Sequence, residues 1–590
     1  MEAKRGISVS PGIAVGVAYC IEDIFVPPQL ELLDQSETCH ELERFEDACR
    51  KAIEELRHLH AKVAKQVGEE EAAIFNAHVA ILQDPSFKGK VRRGIVEDRL
   101  SAMASLHRVM NEYTAIFSQT NDAYLKERLT DLRDVILRLS SHLSEALKPD
   151  SPALSGPLIV VAREVLPSQA LTLGDREVAG IVTSSGGQTS HAAILARSRG
   201  IPAVAGVTDI LNEARNGDTI IVDGRDGHVF LNPDFETENA YHKLQREFVN
   251  LKDYLAANRD QPALSADGET LQLWANINNV ADAEAAKAVG ATGIGLFRTE
   301  YLFLTHPDVP DEEEQLEAYR QVLAASPPGP VTLRTLDIGG DKSIPYLSRQ
   351  REANPFLGWR SIRISFEHPD FFLSQIRAIL RASAPDPTTG EKPQIRMLFP
   401  MVSTYSEVRK LKGLVKKACR QLDEEGIPYG EVPFGIMIEV PAAAISIHQL
   451  LPETDFVSIG SNDLVQYLMA ADRDNPKVAH LCQPLSPPVL KVLCDVIEAC
   501  NIARKPVTVC GEMAGSPRSF ALLYAMGLRS FSMSPAFVPT MKELASHLTQ
   551  ERTSRIWRQV QCFRTHAQIN KYLEEQLSEI CPSLKLLDSA

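Results

Sequence analysis

The sequence predicts a multidomain α/β chain in which an N-terminal α/β domain is interrupted by an all-helical insert and followed by a C-terminal (β/α)8 barrel. Three observations predict it. The chain has 590 residues, and at roughly 100–200 residues per domain that length calls for several folding units. The hydrophobic texture changes near residues 37, 148 and 265, from short β-branched runs to helical spacing and back. From Leu271 onward, eight short apolar runs alternate with amphipathic stretches, the pattern of repeated βα units.

Composition supports large cores and excludes several classes of function. Hydrophobic residues make up 44% and charged residues 24%, with 33 Gly and 36 Pro spread without period, as in ordinary globular chains. Lys and Arg number 62 against 77 Asp and Glu, and the formal charge of -15 has the wrong sign for gripping nucleic-acid phosphates. Local basic pockets for a small anion stay open. No stretch reaches the roughly 18 apolar residues of a membrane span, and the N-terminus lacks a signal peptide's apolar core, so a cytoplasmic chain without membrane insertion is expected. The ten cysteines include no Cys-x-x-Cys pair, and reduced thiols are the default reading.

Ile7–Gly16 alternates small and β-branched residues and suits short strands. From Glu37 to Leu147, Leu42, Phe45, Cys49, Ile53, Leu56 and Leu59 recur at helical spacing, which predicts antiparallel helical hairpins over 37–147. Leu158–Ala162 and Gly180–Thr183 are apolar strands, so residues 1–36 and 148–232 form one α/β domain. Asn232-Pro233 opens a charged helix, read as a linker over 233–264, with a helix packed on one neighbour as the alternative. The barrel is assigned to 265–575 and a tail to 576–590. Its predicted strands are Leu271–Asn276, Gly293–Phe297, Val331–Leu336, Ile395–Pro400, Phe434–Ile438, Asp455–Ile459, Pro506–Val509 and Ser530–Met533. Right-handed crossovers close a parallel sheet of that number, and an open doubly wound sheet is the alternative. Polar residues cluster at the strand ends, which places them on the C-terminal rim where barrel active sites form.

Arg298, Arg334, Arg360 and Arg473 fall at or after strand ends, and guanidinium forks suit carboxylate and phosphate oxygens, so a small polyanion is the implied ligand. Glu439 and Asp463 end adjacent strands and together suit Mg²⁺, which takes carboxylate oxygens and keeps several waters. Ion pairing between these carboxylates and the arginines is the alternative. The loop Asp337-Ile338-Gly339-Gly340-Asp341-Lys342 joins two glycines to a lysine. Cys510 follows a strand directly, which aims its thiol at the rim; a buried inert thiol is the other reading.

The sharpest local feature is Gly186-Gly187-Gln188-Thr189-Ser190-His191, between an apolar strand and a helix ending at Gly200. Glycines supply the turn and Thr189 or Ser190 the N-cap, so His191 lies in the first helical turn. There the helix field favours a neutral, nucleophilic imidazole and an attached anion. Phosphoryl transfer through phosphohistidine is the predicted chemistry.

Taken together, these strings resemble enzyme I, the phosphoenolpyruvate-protein phosphotransferase family of the bacterial sugar phosphotransferase system. Beyond the histidine loop and the Asp337–Lys342 loop, the resemblance is carried by Gly295-Leu296-Phe297-Arg298-Thr299-Glu300, Asn354-Pro355-Phe356-Leu357-Gly358-Trp359-Arg360, Ile436-Met437-Ile438-Glu439, Gly460-Ser461-Asn462-Asp463-Leu464 and Cys510-Gly511-Glu512-Met513-Ala514-Gly515. It implies a swivelling phosphohistidine domain and a TIM barrel that binds phosphoenolpyruvate. It further implies that His191 takes the phosphoryl group from phosphoenolpyruvate and passes it to a histidine of the phosphocarrier HPr, releasing pyruvate. By the resemblance, Arg298, Arg334, Arg360, Asn462, Asp463 and Arg473 form the substrate clamp with Lys342. Glu439 and Asp463 are the Mg²⁺ ligands and Cys510 the acid that protonates the enolate carbon. It implies a homodimer through the barrel, and docking of HPr on the helical insert, where Phe75, His78, Leu82, Tyr124, Leu125, Arg128 and Arg133 are candidates, with helix packing or solvation as the alternative. Gln188 departs from the family, where Arg is frequent. Dikinases and phosphoenolpyruvate synthases share these domains but need a nucleotide-binding domain for which the sequence before the α/β stretch is too short. A non-catalytic phosphoenolpyruvate sensor is the reading from another class.

Overall fold

In a computed structural model, the described residues run from 3 to 583, apart from 22–31, 35, 67–68, 118–122, 144–155, 166–177, 187–192, 194–195, 197–199, 307–308, 340–351, 353, 386–389, 391, 474 and 476. They fall into two compact units that meet in sequence at Val249 and Asn250, within the helix Phe235–Ala257.

In the first unit, an eight-stranded sheet contains β1 (Lys4–Arg5), β2 (Ile7–Ser10), β3 (Ile13–Cys20), β4 (Leu158–Ala162), β5 (Val178–Thr183), β6 (Ala203–Ala205), β7 (Thr219–Asp223) and β8 (His228–Leu231), in the order β1-β8-β7-β3-β4-β5-β6-β2. Its two faces explain the uninterrupted apolar run of β4, because a strand covered on both sides has no solvent face to mark. Val160 and Ala162 pack on one side with Ala193 and Ala196, while Ile159 and Val161 pack on the other with Val207, Ile210 and Ile220.

The helical insert joins β3 to its parallel neighbour β4. It comprises Thr38–Gln66, Glu69–Gln83, Pro85–Val96, Ala102–Phe117 and Ala123–Leu143 around one core that includes Phe45, Leu56, Phe75, Leu106 and Leu139. The third helix starts where Asp84 accepts hydrogen bonds from the Ser86 and Phe87 amides and Pro85 takes the first position, a donor-poor site where proline costs nothing.

Phe75, His78 and Leu82 correct an expectation. All three are buried in the described insert, Phe75 and Leu82 within its core and His78 edge-on to Phe75, so they are not an exposed docking face. Their i, i+3, i+7 spacing is that of an inward helix stripe. Arg133 is half-buried, and the side chains of Tyr124, Leu125 and Arg128 lie outside the described residues.

The second unit is a closed parallel barrel of β9 (Gln272–Ile277), β10 (Ile294–Arg298), β11 (Val331–Arg334), β12 (Ile395–Phe399), β13 (Phe434–Ile438), β14 (Phe456–Ile459), β15 (Val507–Val509) and β16 (Ser530–Met533). Closure is made by β16 beside β9, with Ser530 opposite Gln272 and Met533 opposite Ala275. Sequence punctuation sets the helices between the strands. Thr404 and Glu407 form a reciprocal capping box at the start of Tyr405–Glu425, and Gly426 ends that helix at a φ of 68°. No helix among the described residues is long and apolar enough to cross a membrane.

Candidate active site

Barrel register brings the rim residues to one level. Arg298 stands opposite Arg334 at the ends of β10 and β11. Ile438 stands opposite Ile459, so Glu439 and Gly460 leave the barrel side by side, and the Cys510 amide donates to the Ile459 carbonyl at 3.0 Å. A Cβ on Gly460 would lie 2.7 Å from Glu439 Oε2, so glycine is needed for the carboxylate to occupy this position.

Charges at this rim are buried and interlocked. Arg360 Nε and Nη2 each donate at 3.0 Å to the two oxygens of Asp337, a bidentate fork, and Nη2 also donates to Asp463 Oδ2 at 2.9 Å. Arg360 Nη1 reaches the Tyr467 hydroxyl at 3.3 Å. Arg334 is bound by Glu300 and lies 3.3 Å from Asp337 Oδ2. Arg473 is half-exposed, with Nη1 at 3.6 Å from Asp463 Oδ1. Among the described residues Arg298 makes no hydrogen bond, and burial together with the neighbouring Arg334 charge pushes its pKa down. A half-buried guanidinium without a hydrogen-bond partner among the described residues is costly, and an incoming anion lowers that cost.

Carboxylates here are crowded. Burial first, then the neighbouring Asp463 and Asp337 carboxylates, raise the pKa of Glu439 well above the ordinary range. Its Oε1 accepts from the Met401 amide at 2.6 Å, and Met401 holds a left-handed φ of 57° to make that bond. Among the described residues, the buried Asp463 Oδ1 has no hydrogen-bond partner. Hard oxygen donors, an unsatisfied lone pair and mutual repulsion fit a divalent cation of the Mg²⁺ type at Glu439 and Asp463.

Asn462 is held by Glu512: its Nδ2 donates to Glu512 Oε1 at 3.1 Å, and its Oδ1 accepts from the Glu512 amide at 2.9 Å. Cys510 is buried in the barrel among Leu296, Leu398, Met437 and Phe456, and its thiol donates to the Ile459 carbonyl at 3.5 Å. The thiol is therefore buried, with the rim charges Arg334, Glu439 and Arg298 acting on it. Burial raises its pKa against the opposing pull of Arg334 and Arg298, which keeps it a proton donor at neutral pH.

Lys342, His191 and Gln188 lie outside the described residues. The flanks of the histidine loop are described. Ser184 and Ser185 amides donate to the Ala162 and Arg163 carbonyls at 3.0 and 2.9 Å, Gly186 has a φ of 96°, and the helical Ala193 and Ala196 are buried against the sheet.

Several residues around the site did not stand out in the sequence. Glu300, Asp337 and Tyr467 hold the arginines, although Glu300 and Asp337 sit inside motifs that singled out their neighbours. Asn276 donates to the Cys510 carbonyl at 2.8 Å and accepts from Ser532 at 2.6 Å; only its position at a strand end could have flagged it.

Models of the PEP-utilising enzymes match in three parts: the N-terminal domain over residues 5–128, the mobile domain over 154–227 and the PEP-binding domain over 252–550. The phosphoenolpyruvate-protein phosphotransferase of Bacillus sp. (strain S) is 38% identical over 575 residues, covering 97% of this chain and 98% of that one. Those of Geobacillus stearothermophilus (38%, 97% and 98% covered) and Bacillus subtilis (35%, 98% and 100% covered) are similar over the same extent. With relatives of this identity along nearly its whole length, the chain belongs to the phosphoenolpyruvate-protein phosphotransferase family.

Proposed function

We propose that the chain transfers the phosphoryl group of phosphoenolpyruvate to its own His191 and then to a histidine of the phosphocarrier HPr, releasing pyruvate, as the first step of the sugar phosphotransferase system. The observation that carries this reading is the rim of the closed barrel, where Arg334 and Arg360 face the buried carboxylates Glu439 and Asp463 and Arg298 stands beside Arg334. Such a site suits a small ligand bearing both phosphate and carboxylate, held by guanidinium forks and by a cation shared with the protein.

In this reading Arg298 is the vacant charge that substrate fills, while Arg334 and Arg360 are fixed in place by Glu300 and Asp337 before it arrives. Asn462, Arg473 and Lys342 complete the clamp. Glu439 and Asp463 would hold Mg²⁺, which when bound would supply positive charge against the negative charge of the substrate. Nucleophilic attack by the His191 imidazole on phosphorus breaks the bond to the enol oxygen, and the Cys510 thiol delivers a proton to the methylene carbon, giving pyruvate. One histidine must meet both substrate and carrier, so the domain bearing it has to move between two stations. A homodimer through the barrel and a cytoplasmic setting complete the proposal.

Incubation with ³²P-labelled phosphoenolpyruvate and Mg²⁺ tests it. Acid-labile label that moves to added HPr, and is absent from His191→Ala, is the expected result. Binding of phosphoenolpyruvate with no protein labelling would make the chain a sensor instead.

A further inference from the structure

At the end of the barrel unit, three side chains unrelated to the rim converge. Glu543 and His547 are one turn apart on the helix Val538–His547, so they share a face, and Glu543 Oε1 lies 3.0 Å from His547 Nε2. Against them comes Cys581, the residue that ends the helix His566–Ile580, its amide donating to the Leu577 carbonyl at 2.9 Å. One ligand atom from each, a carboxylate oxygen, an imidazole nitrogen and a thiol sulfur, lie within 4.8 Å of one another.

We propose that Glu543, His547 and Cys581 form a structural site for a borderline-soft divalent cation, with Zn²⁺ as the ion and water as fourth ligand. Tetrahedral zinc with bonds of about 2.0–2.3 Å holds its ligand atoms about 3–4 Å apart, so the trio needs only a small contraction. Sulfur and nitrogen donors select against Mg²⁺ and Ca²⁺, which separates this site from the all-oxygen pair at the rim. On binding, the Cys581 S–H bond breaks, a sulfur–metal bond forms and the proton leaves to solvent, while His547 contributes the Nε2 lone pair.

Placement assigns the role. The helix Val538–His547 follows β16 and so starts on the C-terminal rim, and its far end lies near the start of β9, where the Ala266 amide donates to the Leu548 carbonyl at 2.9 Å. The cluster is thus on the barrel end opposite the rim. Cys581 is fully buried and Leu577 and Ile580 beside it are buried too, so the thiol is presented by packed backbone rather than by a free tail. A cation here would clamp the last two helices, Gln550–Val560 and His566–Ile580, to the final barrel helix.

The test uses full-length protein stripped with EDTA and titrated with Co²⁺, then with Zn²⁺. Expected is one site with tetrahedral cobalt absorption and a thiolate-to-cobalt charge-transfer band, displaced by Zn²⁺, lost in Cys581→Ser and weakened at least tenfold in His547→Ala, while Glu439→Gln keeps the band. Absence of a thiolate band, or the same band in Cys581→Ser, overturns the proposal and leaves a helical Glu–His pair beside an inert thiol. Should Cys581→Ser fail to fold by circular dichroism, His547→Ala decides: unchanged cobalt affinity refutes the site.

Discussion

Arg360 shows how one residue can be both buried and charged. Burial alone would lower its pKa, but Asp337 and Asp463 outweigh that and raise it, so the guanidinium stays ionised inside the rim. Its position depends on Gly339, which has a φ of 104°; a Cβ there would lie 2.5 Å from the Trp359 carbonyl and 2.7 Å from Arg360 Cα. Gly339→Ala therefore combines a disfavoured backbone with a collision, a strain of about 1–3 kcal/mol. The expected outcome is a melting temperature lowered by a few degrees and a raised KM for phosphoenolpyruvate in steady-state pyruvate release; unchanged values would show that the loop yields freely. That Gly-Gly loop was legible in the sequence as a place of close approach. What approaches it was not, because Arg360 comes from a later part of the chain.

At the scale of elements, the arginine-bearing strands are braced by a buried polar chain. Gln375, on the helix Pro369–Ala382, accepts from the Leu336 amide at 2.9 Å and donates to Thr299 Oγ1 at 3.1 Å and the Tyr319 hydroxyl at 3.2 Å. Thr299 in turn donates to the Arg334 carbonyl at 2.8 Å, so one amide side chain ties the end of β10 to the end of β11. Gln375→Leu keeps the volume but leaves the Leu336 amide unsatisfied, at a cost of about 1–3 kcal/mol. Urea unfolding should show that loss, and kcat/KM should fall as Arg298 and Arg334 lose their common brace. A variant with full stability would mean that water replaces the amide. Phe372, Ile376 and Ile379 stand at helical spacing on the buried face of this helix. A glutamine on the same face reads as an interruption until its three partners, drawn from three other elements, are in place.

Across the whole molecule, closing the barrel gathers carboxylates that sequence separates widely, and the protein without its cation bears the repulsion. Glu439 has a folded pKa above its ordinary value of 4.5, so between these two values the folded state binds more protons than the unfolded one. Stability from this group is therefore complete below the unfolded pKa and is lost as pH rises toward the raised folded value, with a limiting slope of about 1.4 kcal/mol per pH unit for one proton. Metal-free wild type should lose melting temperature relative to Glu439→Gln as pH climbs from about 4.5 to neutrality, and Mg²⁺ should restore it in wild type only. A pH-independent difference between the two proteins would show that Glu439 titrates normally.

By itself the sequence determined the classes of element and their order. Helical spacing, strand runs and glycine or proline punctuation are local properties, and the eight βα repeats with polar strand ends already marked one rim, with Arg298, Arg334, Glu439 and Asp463 on it. The inward turn of Phe75, His78 and Leu82, the burial of Cys510 and the pairing of Arg334 with Glu300 and of Arg360 with Asp337 were decided only in three dimensions. Burial and electrostatics depend on what surrounds a side chain, and barrel closure and helix packing supply those surroundings from distant parts of the chain.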